Sequence, residues 1–211
     1  IRGEHPSTVN RDFAKTMATW YSNLHQITSS KQEHHRDHSA EAVKQRVLTK
    51  FETYKDGLDE DTERSLQPLF VQVRDLCEAL QWSASTNHLT HGDPNLENVF
   101  YTEEGVKLVD WEYGGFDAKE WEIAMFLNRC EFQHGVNHTV LDQFLSKYEH
   151  EVESIDLIRY FSCLIETGWL VRRLALVKQG EIAETDEWNQ RSIRDKIQLY
   201  TEMARTLVER M

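Results

Sequence analysis

Apolar residues recur at steps of three and four along most of the chain, the spacing of one buried helix face. In NRDFAKTMATWYSNLHQI the repeating positions are Phe13, Met17, Trp20, Leu24 and Ile27. Ser39 stands where it can cap a second helix carrying Val43, Val47, Phe51 and Tyr54, with Gly57 as its stop. Leu66, Leu69, Phe70, Val73, Leu76 and Leu80 predict a third helix over residues 62–82, with Pro68 ending, starting or kinking part of it. Further helices are expected over 121–132 and 140–148. IDLIRYFSCLIETGWLVRRLALVKQG reads as a long apolar helix stopping near Gly180, and EWNQRSIRDKIQLYTEMARTLVERM as a closing amphipathic one. The middle breaks this rhythm. NVFYT and VKLVDWE are short β-prone runs, and EEG between them is turn chemistry, so residues 98–112 read as a β-hairpin. The fold class expected is α+β, mainly helical, with a polar cluster at the hairpin's ends.

Composition narrows the partners. The 211 residues fit one domain or one large lobe of a two-lobed protein. The formal net charge of −12 argues against duplex nucleic acid and against an anionic membrane surface. Cys77, Cys130 and Cys163 are odd in number and far apart, with neither a disulfide framework nor metal-ligand spacing, so a reduced, cytoplasmic setting is expected. KQEHHRDH holds four His, but charged neighbours and the lack of a Cys or carboxylate cage make it a solvated connection.

The chemistry gathers in THGDPNLENVFYTEEGVKLVDWEYGG. His91, Asp93 and Asn98 form H-x-D-x-x-x-x-N in a loop before the first strand, and Asp110 ends the second. A hairpin returns the chain, so Asp110 comes back beside Asn98. A carboxylate and a carboxamide oxygen facing one point make the hard, oxygen-only site that Mg²⁺ prefers. Asp93 is then placed to accept a proton from a substrate hydroxyl, the arrangement of phosphoryl transfer. Each also has a plainer reading, Asp93 as a loop-capping residue and Asn98 and Asp110 as turn residues. His91 is expected to fix the loop's backbone. Glu112 is either a partner behind the metal ligands or a salt-bridge residue.

THGDPNLENVF with KLVDWEYGG resembles the choline/ethanolamine kinase and aminoglycoside phosphotransferase superfamily, relatives of the protein kinases that phosphorylate small-molecule hydroxyls with ATP and Mg²⁺. The resemblance makes Asp93 the catalytic base and Asn98 and Asp110 the metal ligands. DWEY, with Glu112 and Tyr113, is similar to the choline kinase and thiamine kinase branches. WYSNLHQI resembles the family's Leu-His helix, and EWEIAMF stands at its Asp-Leu-Ala helix start, with Glu122 where Asp is common. Glu97 departs from the pattern, which often has Gly before the metal-binding Asn. The resemblance implies that residues 1–211 are a protein-kinase-like C-terminal lobe with a catalytic β-hairpin. On the same resemblance the ATP-binding N-terminal lobe is expected to be missing from this chain, which alone is expected to be inactive.

The implied acceptor is a small, cationic alcohol of the choline, ethanolamine or thiamine type. Trp111 and Tyr113 flank the metal-binding strand, and Glu166 and Trp169 lie on the helix that forms the substrate wall in the relatives. Ring faces attract a quaternary ammonium. The plainer reading of Trp169 is a core residue, and Arg172 and Arg173 pair with Glu166 or meet an anionic substrate. Three alternatives stand beside the cationic-alcohol kinase: an aminoglycoside-type phosphotransferase, a catalytically inactive kinase-like binding or regulatory lobe, and a metal-dependent hydrolase built on His91, Asp93 and Asp110.

Overall fold

The computed structural model describes residues 3–6, 8–29, 40–79, 88–152 and 154–211. They divide into two compact units, one of residues 1–36 and 83–155, the other of 37–82 and 156–211.

In the first unit the chain enters helix α1 (Arg11–His25) through Asn10, whose side-chain oxygen accepts from the backbone N–H of Asp12 and Phe13, both at 3.0 Å. That cap satisfies two donors the first helical turn would leave bare. Phe13, Met17 and Leu24 are buried as their spacing predicts, together with Ala14, Ala18, Tyr21 and His25. Ile27 is not. It lies past the helix end and is half exposed, because the 3.6-residue period no longer holds there. Helix α4 (Lys119–Asn128) runs into a π-helical turn, Arg129–Gln133, where one continuous helix was expected. Helix α5 (His138–Lys147) starts at Asn137, whose side chain accepts from Val140 N–H. α1 and α5 pack around Tyr21, Phe126 from α4 and Phe144, with ring centroids 5.1 Å apart for Tyr21–Phe126 and 5.0 Å for Phe126–Phe144.

Two small antiparallel ribbons complete this unit. Strands β2 (Val99–Thr102) and β3 (Gly105–Leu108) form the expected hairpin, with Val99 opposite Leu108 and a two-residue turn at Glu103 and Glu104. Gly105 takes φ 105°, which L side chains rarely adopt. The second ribbon pairs β1 (His88–Thr90) with β4 (Gly115–Asp117). It brings the start of the polar loop beside the segment that follows Asp110.

The Tyr21 hydroxyl is fully buried and has no hydrogen-bond partner among the described residues. A buried polar atom left unpaired costs about 1–3 kcal/mol, and deleting it while keeping the ring removes that cost. Tyr21→Phe is therefore expected to hold or raise the thermal midpoint. A drop of several degrees by calorimetry would show that the hydroxyl has a role in the fold.

The second unit consists of helices α2 (Ala40–Tyr54), α3 (Glu60–Ala79), α6 (Ile155–Lys178) and α7 (Gln190–Arg210). Val43, Val47, Phe51, Leu66, Leu69, Phe70 and Val73 are buried, and the rings of Phe51 and Phe70 stack at 4.0 Å. α3 is not broken by Pro68. Pro68 is exposed, and so is Arg64, the residue whose carbonyl loses its helical donor. Leu76 is only partly buried, and Cys77 takes the inward place beside it. α6 stops as expected, with Gly180 at φ 74° and its N–H bonded to Val177 O. α7 begins with a reciprocal cap between Asn189 and Ser192. Ser39, Leu80, the end expected for the third helix and the KQEHHRDH cluster lie outside the described residues. Among the described residues no helix is long and apolar enough to cross a membrane.

Candidate active site

The polar loop between β1 and β2 is built mainly from hydrogen bonds to its own backbone. His91 is fully buried, with Nδ1 at 3.0 Å from Asp93 O and Nε2 at 2.8 Å from Val109 O. The ring thus ties the loop to the segment that runs from β3 to Asp110, the backbone-fixing role its position suggested. Trp111 covers it, ring to ring at 4.6 Å, and is itself anchored by Nε1 donating to Leu108 O at 2.9 Å.

Asp93 is half buried and held by both carboxylate oxygens. Oδ1 accepts from Asn95 Nδ2 at 2.7 Å, and Oδ2 from Asn98 Nδ2 at 3.2 Å. Asn98 Nδ2 also donates to Asp93 O at 3.1 Å. With the nitrogen so engaged, the carboxamide oxygen of Asn98 is the atom left to meet a cation. Glu97, at the place where the resemblance often has Gly, is exposed in a 3-10 turn, Leu96–Asn98. Among the described residues the non-glycine positions with positive φ are Asp110 and Ser154, so Glu97 sits in ordinary backbone and the turn needs no glycine there.

Asp110 is not the last residue of a strand. β3 ends at Leu108, and Asp110 stands beyond it in the left-handed region, φ 65° and ψ 58°, opening a 3-10 turn, Trp111–Tyr113. The hairpin's last rung, Val109 N to Asn98 O at 2.9 Å, still brings the two predicted metal ligands to neighbouring chain positions. Asp110, Trp111, Glu112 and Tyr113 are all exposed. The Tyr113 hydroxyl is pushed above the ordinary phenol range, chiefly by the charge of Glu112 and its hydrogen bond to it, with smaller contributions from burial and from the charges of Asp93 and Asp110. Gly92, at φ 81°, lies against the same turn. A Cβ there would fall 2.3 Å from Tyr113 O.

Among the described residues no group of three or more His, Cys, Asp or Glu side chains is arranged to hold a metal ion. A cage made wholly of protein carboxylates is thus not formed. One carboxylate and one carboxamide oxygen suit Mg²⁺, which keeps several waters and shares its other positions with phosphates.

The residue the spacing did not reveal is Glu122, on α4. It is buried at 3% exposure, and Oε1 accepts from the backbone N–H of His91 at 2.7 Å and of Gly92 at 2.8 Å. Oε2 lies 2.8 Å from Nε2 of the fully buried His25. Glu122 holds the loop from below while His91 holds it from within. The quoted runs EWEIAMF and WYSNLHQI contain both residues, and their signal was resemblance alone.

Glu166 and Trp169 belong to the second unit, on α6. Lys50 is shifted downward, mainly by burial, and the charge of Glu166 opposes that shift. The Arg173 guanidinium lies 5.3 Å from the Trp169 ring and 4.5 Å from Trp188, and Lys196 lies 3.5 Å over Trp188. These ring faces already have cations from the chain itself.

No curated protein sequence matches this chain. Solved structures resemble it in fold. Plasmodium vivax ethanolamine kinase does so at 14% identity and a TM-score of 0.66, over 98% of this chain and 64% of that one. The choline kinase LicA from Streptococcus pneumoniae does so at 18% identity and a TM-score of 0.57, over 94% and 66%. A spectinomycin phosphotransferase in complex with ADP and spectinomycin does so at 14% identity and a TM-score of 0.58, over 96% and 65%. The chain thus spans a little under two thirds of these relatives. A model of the choline/ethanolamine kinase family matches residues 5–162, from before α1 into α6 and through every residue of the loop and hairpin described above, and the chain belongs to that family.

Proposed function

We propose that the chain carries the acceptor-activating and metal-holding part of an ATP- and Mg²⁺-dependent phosphotransferase whose acceptor is the hydroxyl of a small cationic alcohol. The observation that carries this reading is the Asp93–Asn98 contact. One side chain is held so that its carboxylate can take a proton, and the other is turned so that its oxygen can meet a cation. In the reaction a substrate hydroxyl gives its proton to Asp93 as its oxygen bonds to the γ-phosphorus, and the bond from that phosphorus to ADP breaks. Asn95 and Asn98 fix the direction of the Asp93 carboxylate, and His91 fixes the backbone beneath it. Mg²⁺ bound by Asn98 and Asp110 would hold phosphate oxygens and neutralise their charge.

Charge and aromatic rings in this segment support that acceptor class. Asp110 and Glu112 alternate along the chain with the exposed rings of Trp111 and Tyr113, and the loop of Asp93 packs against the same turn through Gly92. Carboxylates and ring faces together favour an ammonium group over an anion. The ethanolamine and choline kinases of similar fold are named for such acceptors, and the spectinomycin enzyme was solved with ADP. This reading assigns the cover of the nucleotide to a lobe beyond these residues, so its test uses the full-length protein. With ATP and Mg²⁺, choline, ethanolamine or thiamine should be phosphorylated faster than aminoglycosides or neutral sugars. Preference for an aminoglycoside would replace the acceptor class, and ADP release with none of the panel would end the kinase reading.

A further inference from the structure

The turn that leaves α5 reaches the catalytic loop through a line of buried polar contacts. The Tyr148 hydroxyl lies 2.5 Å from His25 Nδ1, and His25 Nε2 lies 2.8 Å from Glu122 Oε2. Glu122 Oε1 takes the two amides of His91 and Gly92. A carboxylate oxygen only accepts, so His25 Nε2 donates. Nδ1 and the Tyr148 hydroxyl share the other hydrogen bond, which a phenol can make in either direction. All three side chains are buried. The same turn is pinned to α1 twice more. Glu149 N–H donates to Ser22 Oγ at 3.0 Å, and His150 Nε2 lies 3.0 Å from Ser22 O. His88 Nδ1, at 2.5 Å from His25 O, holds the histidine's backbone from the side of β1.

A tyrosine that merely filled the core would need only its ring, and Tyr148 does stack on Phe144 with centroids 5.9 Å apart. The hydroxyl is the informative part, because it holds the second ring nitrogen of His25 and so braces the ring against rotation. Without it, Nδ1 is left buried without that partner, and a ring that turns to find another draws Nε2 away from Glu122. The carboxylate then loses its brace, and the amides of His91 and Gly92 are held less firmly.

We propose that Tyr148 is a positioning residue for the catalytic loop, acting through the orientation of the His25 ring on the Glu122 carboxylate that holds the backbone amides of His91 and Gly92. The proposal rests on the phosphotransferase reading for its catalytic consequence, but not for its structural one. The test is Tyr148→Phe in the full-length protein, read by amide exchange and by steady-state kinetics. Exchange at His91 and Gly92 should speed up by about tenfold or more while amides inside α5 keep their rates. The value of kcat should fall roughly 5- to 30-fold, with KM for both substrates within about twofold, since the change acts on alignment rather than on substrate binding. If this variant does not fold, His25→Gln and His25→Leu replace it. A glutamine amide can donate to Glu122 and accept from Tyr148, so it should keep slow exchange and most of kcat, and leucine should keep neither. Unchanged exchange at the two amides overturns the proposal, as does wild-type kcat despite faster exchange. If the unmodified protein phosphorylates none of the acceptor panel, the kinase reading has failed instead, and amide exchange alone then decides whether the relay holds the loop.

Discussion

Asp93→Asn is expected to lower kcat of the full-length protein by about 10²–10⁴-fold, the usual contribution of a positioned general base. The substitution is nearly isosteric, so the loss should come without loss of fold. An asparagine oxygen can keep the bond from Asn95 Nδ2, now 2.7 Å long. Its new NH₂ group would face Asn98 Nδ2 across the looser 3.2 Å contact. One weak bond lost at a half-buried site costs about 1 kcal/mol, and for a chain of this size that is roughly 2–4 °C in Tm. KM for the nucleotide should stay within a few-fold, because Asp93 is assigned to the acceptor. Turnover within tenfold of wild type would remove Asp93 from the role of base. A collapse of Tm would mean that the loop, and not the chemistry, had been tested.

The second large effect is on stability. Glu122→Ala leaves two backbone amides and a histidine N–H without their acceptor, all of them buried or nearly so. Removing one member of a buried, hydrogen-bonded group costs about 3–5 kcal/mol, or roughly 6–20 °C in Tm for a chain of this length. Glu122→Gln should be far milder. Its remaining oxygen still accepts from His91 and Gly92, and its NH₂ can donate to His25 Nε2 once that ring moves its proton to Nδ1. The Tyr148 oxygen can accept from Nδ1 in turn. Thermal unfolding of the two variants side by side decides the matter. Equal losses would show that Glu122 is not held by hydrogen bonds in the way described.

The contrast between Asp93 and Glu122 also shows what could be read from the amino-acid order. The contact of Asp93 with Asn98 was legible because their separation is set locally, by one loop leading into one hairpin whose turn residues announce themselves. The inward face of α1 was legible for the same reason, since Phe13, Met17 and Leu24 repeat with the helix. Glu122, His25 and Tyr148 meet across most of the first unit, and no period links residues so far apart in the chain. The pairing of β1 with β4 was hidden too. Three-residue strands are too short to show an alternation, and their rungs, such as Thr90 with Gly115, are made by backbone atoms that every residue carries. Pro68 neither starts nor ends its helix, because the rule against proline in a helix is weakest on an exposed face. Asp110 was placed at a strand end because a non-glycine residue in left-handed backbone is uncommon and has no sequence mark.

The absence of any side-chain carbon at Gly92 has one more effect. Main chain meets main chain where the loop touches the Tyr113 carbonyl, and no flexible spacer stands between them. A tilt of either turn must push the other directly. The loop that holds Asp93 and the turn that follows Asp110 are thereby geared together, and a displacement of either would have to carry the other with it.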